Sequence, residues 1–246
     1  MTLRRLADQF GGLFELTRSE RDALDRLGER ERTLRRGQPL LRENDRSTEL
    51  FFLLGGQMMS YVLLDDGSRQ ILRFLFPGDV LATAAIGYAT SPETLVALTE
   101  SVVCVVDRAQ LVPLARDHPR LLFAIAAMEQ AERAAMIDRL ANIGRTSAKA
   151  RVAAVLLDVR DRMQRSDATI GDSFTLGLTQ EEIGDATGLT AVHVNRMLRA
   201  LEDERLIARA SGRVTILDER MMRRVANYVD RITGIDLSWV PAPAEA

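Results

Sequence analysis

The residues of this chain best suited to chemistry stand between positions 190 and 199: Thr190, Val192, His193, Asn195, Arg196 and Arg199. No nucleophile stands beside a base among them. Their groups suit the edges and phosphates of DNA instead. A guanidinium forks onto guanine O6 and N7, an amide onto adenine, a valine methyl onto the thymine methyl, and hydroxyl or cationic groups onto phosphate. At roughly 100° per residue, Val194, Met197, Leu198 and Leu201 fall on one side of a helix, with Val192, Asn195, Arg196 and Arg199 opposite. Periodicity alone is equally consistent with an ordinary amphipathic helix that turns its polar face to water, so the neighbouring segments decide.

Those neighbours form a positioning frame. Thr179 with Glu182 three residues on has the capping-box spacing, which starts a helix near Gln180. Gly188 ends that helix in the left-handed conformation and Thr190 caps the next, so a turn of about three residues joins the two, as in a helix-turn-helix. Gly184, one turn before Gly188, lets the second helix lie close. After Leu206-Ile207 come Arg209-Ala-Ser-Gly-Arg213 and Val214-Thr-Ile-Leu217, two strands around a Gly-containing turn. A basic hairpin directly after a helix-turn-helix is a wing, and its arginines, Arg213 included, reach phosphates.

At 246 residues, 46% hydrophobic and 28% charged, the chain has material for one or two globular domains. The net charge of -2 hides only a weak contrast: 18 Arg/Lys against 20 Asp/Glu over residues 1–144, and 15 against 13 over 145–231. DNA binding therefore rests on the motif rather than on bulk charge. A single cysteine, Cys104, excludes an internal disulfide framework and any four-cysteine zinc or iron-sulfur site. It sits inside Val102 to Val106 and reads as core. The two histidines, His118 and His193, do not cluster, and no nucleophile-base pair is evident, so we expect neither a metal, nor a cofactor, nor an enzyme. Without an apolar leader or an 18-residue apolar run, the expected location is the cytoplasm, with no membrane partner.

Taken in order, Leu13, Leu16, Leu24 and Leu27 mark a docking helix from about Glu20 to Gly28, capped by Thr17 or Ser19. Short apolar or alternating runs follow at 40–41, 50–54, 58–64, 71–76 and 102–106. They are punctuated by Gly55-Gly56, Asp65-Asp66-Gly67 and Pro77-Gly78-Asp79. This pattern over 33–107 predicts an antiparallel β-roll or jelly roll. From Pro119 to Ile143 a long helix carries Leu121, Ile125, Met128, Met136, Leu140 and Ile143 on or beside one stripe, longer than such a roll would cover. The expectation is a homodimer paired along it. Asn142 to Arg145 breaks the pattern and is the predicted hinge; a helix over 147–163, a short strand Phe174–Leu176 and a helix over 218–232 frame the reading unit. The tail from Gly234 carries Trp239 and two prolines, and we expect it to pack on the body. The chain thus divides into a sensory roll (1–116), a dimerisation helix with hinge (117–144) and a DNA-binding domain with tail (145–246).

The run Gly188-Leu189-Thr190, Val194-Asn195-Arg196, Leu198, Leu201, Leu206-Ile207 resembles the reading unit of the cAMP receptor protein/FNR (Crp/Fnr) family of bacterial transcription regulators. The roll, with its Gly56 turn, Gly67 hairpin and Pro77-Gly78-Asp79, is similar to the family's cyclic-nucleotide-type sensory domain. The resemblance implies an α+β chain with a cyclic-nucleotide-binding-like roll, a long dimerisation helix and a C-terminal winged helix-turn-helix. It further implies a dimeric regulator of palindromic double-stranded DNA that works with RNA polymerase under a small-molecule effector. The rival reading is a ligand-binding signalling module that keeps the fold without reading DNA. In cAMP-binding members a Gly-Glu-Leu holds the ribose and an Arg-Ser the cyclic phosphate. Here those stretches are Ala82-Thr83-Ala84 and Ser91-Pro92, so a cyclic nucleotide is disfavoured, and Thr83 with Arg73 remains as the effector-pocket candidate. The N-terminal cysteine cluster of FNR-type oxygen sensors is absent.

Overall fold

Residues 5–241 are described by a computed structural model. The elements in chain order are α1 (Leu6–Gly11), α2 (Arg18–Leu27), β1 (Glu31–Leu34), β2 (Pro39–Leu41), β3 (Glu49–Gly55), β4 (Met58–Leu63), β5 (Arg69–Leu75), β6 (Val80–Leu81), β7 (Thr94–Ala97), β8 (Ser101–Asp107), α3 (Leu111–Asp117), α4 (Pro119–Arg145), α5 (Ala148–Ser166), β9 (Ser173–Thr175), α6 (Gln180–Thr187), α7 (Ala191–Asp203), β10 (Ile207–Ala210), β11 (Arg213–Ile216) and α8 (Glu219–Ala226). They form two compact units. The first takes residues 5–60, 75–133 and 231–241; the second takes 61–74 and 134–230.

The roll consists of two four-stranded sheets, in the orders β1-β8-β3-β6 and β2-β7-β4-β5. β8, apolar throughout, is the central partner of β1 and β3, so Val103, Cys104 and Val105 are buried on both faces. Glycine makes one turn possible: Gly56 has φ 86°, and a Cβ there would lie 2.3 Å from the Glu100 carbonyl oxygen. One face of β3 and β8 packs on α1, α2, α3 and the start of α4. The predicted docking helix is α2, opened by a full capping box in which the Glu20 amide donates to Thr17 Oγ1 at 3.2 Å and the Thr17 amide to Glu20 Oε2 at 2.9 Å. α1 and α3 were not anticipated.

In the second unit α5, α6, α7 and α8 pack around Val152, Leu156, Val159, Ile183, Val194, Leu198 and Met222, beside the sheet β10-β11-β9. Two expectations need correction. The predicted hinge at Asn142 to Arg145 is helical: α4 runs through Gly144 to Arg145, and the break falls at Thr146, where Ser147 caps α5 by accepting from the Ala150 amide at 3.2 Å. The last helix stops at Ala226 instead of 232. Asn227 takes the left-handed conformation at φ 48°, and the Tyr228 amide donates back to Arg223 O at 3.1 Å, a closing turn that a helical pattern does not reveal.

The tail also departs from its sequence grouping, since residues 231–241 belong to the first unit. Leu237 is buried in the cluster under α1 and α2, with Ile235 and Val240 packed against it. Of the two tail prolines, Pro241 is exposed and Pro243 lies outside the described residues.

Candidate nucleic-acid interface

The reading unit is built by local chemistry. The Glu182 amide donates to Thr179 Oγ1 at 3.1 Å and the Thr179 amide to Glu182 Oε2 at 2.7 Å, which fixes the start of α6. Gly188 ends α6 at φ 67°. A Cβ on Gly184 would stand 2.4 Å from the Leu189 carbonyl oxygen, so the tight turn into α7 requires glycine there. Thr190 then caps α7 by accepting from the His193 amide at 3.3 Å, which leaves its own hydroxyl proton free to donate outward.

α7 has one buried and one presented face. Val194, Leu198 and Leu201 are in the core, whereas Val192 is 82% exposed. At that exposure Val192 contributes nothing to the core. Arg196 and Arg199 are exposed beside it, and among the described residues neither makes a hydrogen bond or ion pair, although Arg199 helps hold the Glu202 carboxyl below its usual range, behind the stronger effect of Arg209. His193 and Asn195 are half-buried at the flanks. All six α7 candidates therefore lie on or beside one face.

The wing is less free than expected. Ser211 and Gly212 make its turn with φ 50° and 76°. Arg209 is paired to Glu202 at 2.6 Å, and Arg213 donates to Ser173 Oγ at 3.2 Å and Ser173 O at 2.7 Å. Arg213 is exposed, so it reaches a phosphate only by exchanging those bonds.

Of the residues expected on the dimerisation stripe, Leu121 and Ile125 are buried in the chain's own roll core, which withdraws them from a partner surface, and Met128, half-buried, packs against that core. The sequence stripe mixed two faces of α4. The outward face instead follows a three-four spacing, Phe123, Ala126, Gln130, Arg133, Ile137 and Leu140, all exposed, with Leu140 at 74%. Met136 borders this face and Ile143 is half-buried.

Sequence reasoning also missed a latch within the second unit. The hairpin segment Tyr61–Phe74 is tied to α6, with Arg69 Nη2 2.6 Å from Asp185 Oδ2 and the Gln70 side-chain Nε2 donating to Asp185 O at 2.8 Å. Pairing across 116 positions leaves no local signal.

In the roll, Thr83 lies in a short 3-10 turn and donates to Glu129 Oε2 at 2.8 Å. Ser91 spends its hydroxyl on Glu93 O at 2.7 Å, and Arg73 is buried on β5. A carboxylate on Thr83 and a hydroxyl already committed are the wrong partners for a cyclic phosphate. Neither cAMP nor cGMP is expected to bind in the micromolar range. Titration calorimetry checks this, and low-micromolar binding of either would contradict it.

A sensory roll followed by a winged helix-turn-helix defines the class of one-chain transcription regulators that couple a ligand-type domain to DNA reading. The cyclic nucleotide-binding domain family matches residues 31–118 and the Crp-like helix-turn-helix domain family residues 150–225. The nitrogen fixation regulation protein FixK of Bradyrhizobium diazoefficiens is 32% identical over 191 residues, 77% of this chain and 79% of that protein. The fumarate and nitrate reduction regulatory protein of Escherichia coli is 26% identical over 219 residues, 89% of this chain and 87% of that one. Among solved structures, FixK2 from Bradyrhizobium japonicum superposes with a TM-score of 0.70 at 25% identity, covering 80% of this chain and 96% of that chain.

The chain belongs to the Crp/Fnr family of DNA-binding transcription regulators. The main reading, a regulator with an N-terminal sensing domain, is thereby favoured over the signalling module that does not read DNA. Regulators of this family bind DNA and function as dimers. Among the described residues no helix is long and apolar enough to cross a membrane.

Proposed function

We propose that this chain is a cytoplasmic, non-catalytic regulator that pairs through the outward face of α4 and reads a palindromic operator with α7. It communicates with RNA polymerase under the control of a small molecule held in the roll near Thr83. The division of labour is a sensory roll over 1–116, a dimerisation helix over 117–144 and a DNA-binding domain over 145–230, with the tail from 231 returned to the first unit. The observation that carries the DNA reading is the presented face of α7, where Val192 at 82% exposure stands beside an unpaired Arg196.

Arg196 makes the two-pronged guanine contact, Val192 touches a thymine methyl, and Asn195 adds adenine. Thr190, His193, Arg199 and the wing's Arg213 hold phosphates, which position without specifying. In better-known members the positions matching Ala191 and Val192 are an arginine and a glutamate that read base edges. This chain keeps only the arginine at 196, so its half-site differs from theirs. Arg196→Ala should cost about 1 to 3 kcal/mol and relax preference at one guanine, whereas Arg199→Ala should weaken all sequences alike and lower the salt slope by about one. Selection from random DNA with wild type and both variants tests this. An unchanged base preference in Arg196→Ala would make that arginine a phosphate clamp and displace the reading face.

A further inference from the structure

Trp239 is the chain's sole tryptophan, and it is 65% exposed. It meets the ring of Phe123 edge-on, with centroids 5.4 Å apart and planes at 66°. Phe123, in the second turn of α4, is itself 45% exposed. The aromatic pair is not on a loose end. Leu237, two residues earlier, is anchored in the core of the first unit, Val240 packs against the same cluster, and the Val240 amide donates to Leu237 O at 3.0 Å. The Ser238 amide donates to Asp236 Oδ1 at 2.9 Å and tightens the same turn. A fixed pair of large aromatic rings left facing water marks a surface built to be covered.

The position of Phe123 says by what. It is the first member of the outward three-four stripe of α4, whose middle positions, Gln130 and Arg133, are polar and whose far end holds Ile137 and Leu140. The helix is about 40 Å long at 1.5 Å per residue, and its middle offers little apolar area. A stable protein-protein interface buries about 800 Å² per partner. Ile137 and Leu140 anchor one end of the stripe only. Phe123 and Trp239, still 45% and 65% exposed, supply a second anchor at the other. In a two-fold dimer whose axis runs along α4 the two helices are parallel, and each anchor meets its own copy.

We propose that Trp239, seated on Phe123, is part of the dimer seam, and that a second copy of this chain covers it. The C-terminal tail is then an interface element rather than an appendage. This rests on the pairing through α4 proposed above, and the test separates the two.

The intact protein is followed through a dilution series by sedimentation and by tryptophan emission with acrylamide quenching. In the dimer the emission should shift to the blue and quenching should fall several-fold, in step with association. Leu140→Glu, monomeric, should keep the red, quenchable emission at every concentration. Trp239→Ala should fold as wild type by circular dichroism, because the ring is largely exposed in the single chain. Its dimer dissociation constant should rise at least about tenfold. A wild-type dimer whose tryptophan stays as quenchable as in Leu140→Glu would overturn the seam role while leaving the α4 pairing intact. A wild-type chain that remains monomeric at all concentrations would overturn both.

Discussion

Arg160→Ala should leave the second unit short of about 3–5 kcal/mol, the usual consequence of removing one member of a buried ion pair. Arg160 is 1% exposed and holds α5 to α8 and to the loop before β9: its Nε lies 2.7 Å from Asp161 Oδ1, Nη2 2.8 Å from Glu219 Oε1, and Nη1 3.3 Å from Asp172 Oδ1. Arg223 closes the ring, 2.8 Å from Asp161 and 2.7 Å from Glu219. Without Arg160 the Asp161 carboxylate, itself buried, keeps one partner in place of two. Urea unfolding followed by circular dichroism, with hydrogen exchange to assign the loss to 134–230, measures it; a change below about 1 kcal/mol would show that Arg223 suffices.

The same cluster fixes a pH dependence. The hydrogen bonds from Arg160, above all, and those from Arg223 outweigh burial and pull the Glu219 carboxyl from 4.5 down to about 2. At Asp158 burial opposes ionisation, but Arg162 and Arg139 override it and hold the carboxyl below 3.8. Both groups have folded values below their unfolded ones. Their contribution is therefore complete above the unfolded values and is lost as pH falls, for Glu219 between about 4.5 and about 2. Glu219 is partly exposed, so solvent screening trims its share. In Arg160→Ala the Glu219 part of this acid lability should shrink, because the group that held its proton off is gone.

Leu140→Glu should separate the protomers and, through that, the protein from its operator. Leu140 is 74% exposed in the single chain, and covering one leucine is worth about 1.5–3 kcal/mol, so the two copies in a dimer lose about 3–6 kcal/mol before the repulsion of two facing carboxylates is added. Dimer dissociation should rise by a factor of about 10² to 10⁴. Operator affinity should fall with it, since two linked half-site contacts exceed one by about 10²–10⁴. Sedimentation and a gel-shift titration on a palindrome check both. Met136→Glu, at the border of the face, should act in the same direction more weakly. A variant that is monomeric yet binds the palindrome as wild type would show that DNA reading does not depend on pairing.

What the sequence disclosed was local. Thr179 with Glu182, Gly188 at φ 67° and Thr190 fix the helix-turn-helix within a dozen residues, and the glycine turns around β3 to β5 fix the roll in the same way. α4 resisted because it carries apolar residues on two faces. Leu121 and Ile125 serve the roll, while Ile137 and Leu140 face outward, and periodicity does not say which face has a partner within the chain. Gly144 looked like a break, but one glycine costs only about 1 kcal/mol in a helix, too little to stop a 27-residue one. The Arg160–Glu219 pair, the Arg69–Asp185 latch and the seat of Trp239 on Phe123 join positions 59 to 116 apart, and such pairings leave no trace in spacing.

The seating of Leu237 among α1 and α2 also sets an order of events during synthesis. α1 and α2 are made before most of the second unit, yet their apolar cluster is completed by Ile235, Leu237 and Val240, made after it. While the ribosome works through the second unit, that cluster must wait with part of its surface open to water. A chain cut after Asp230, with its helix-turn-helix finished, should leave that cluster partly open to water. The first unit therefore closes only after residues 235–240 have been made.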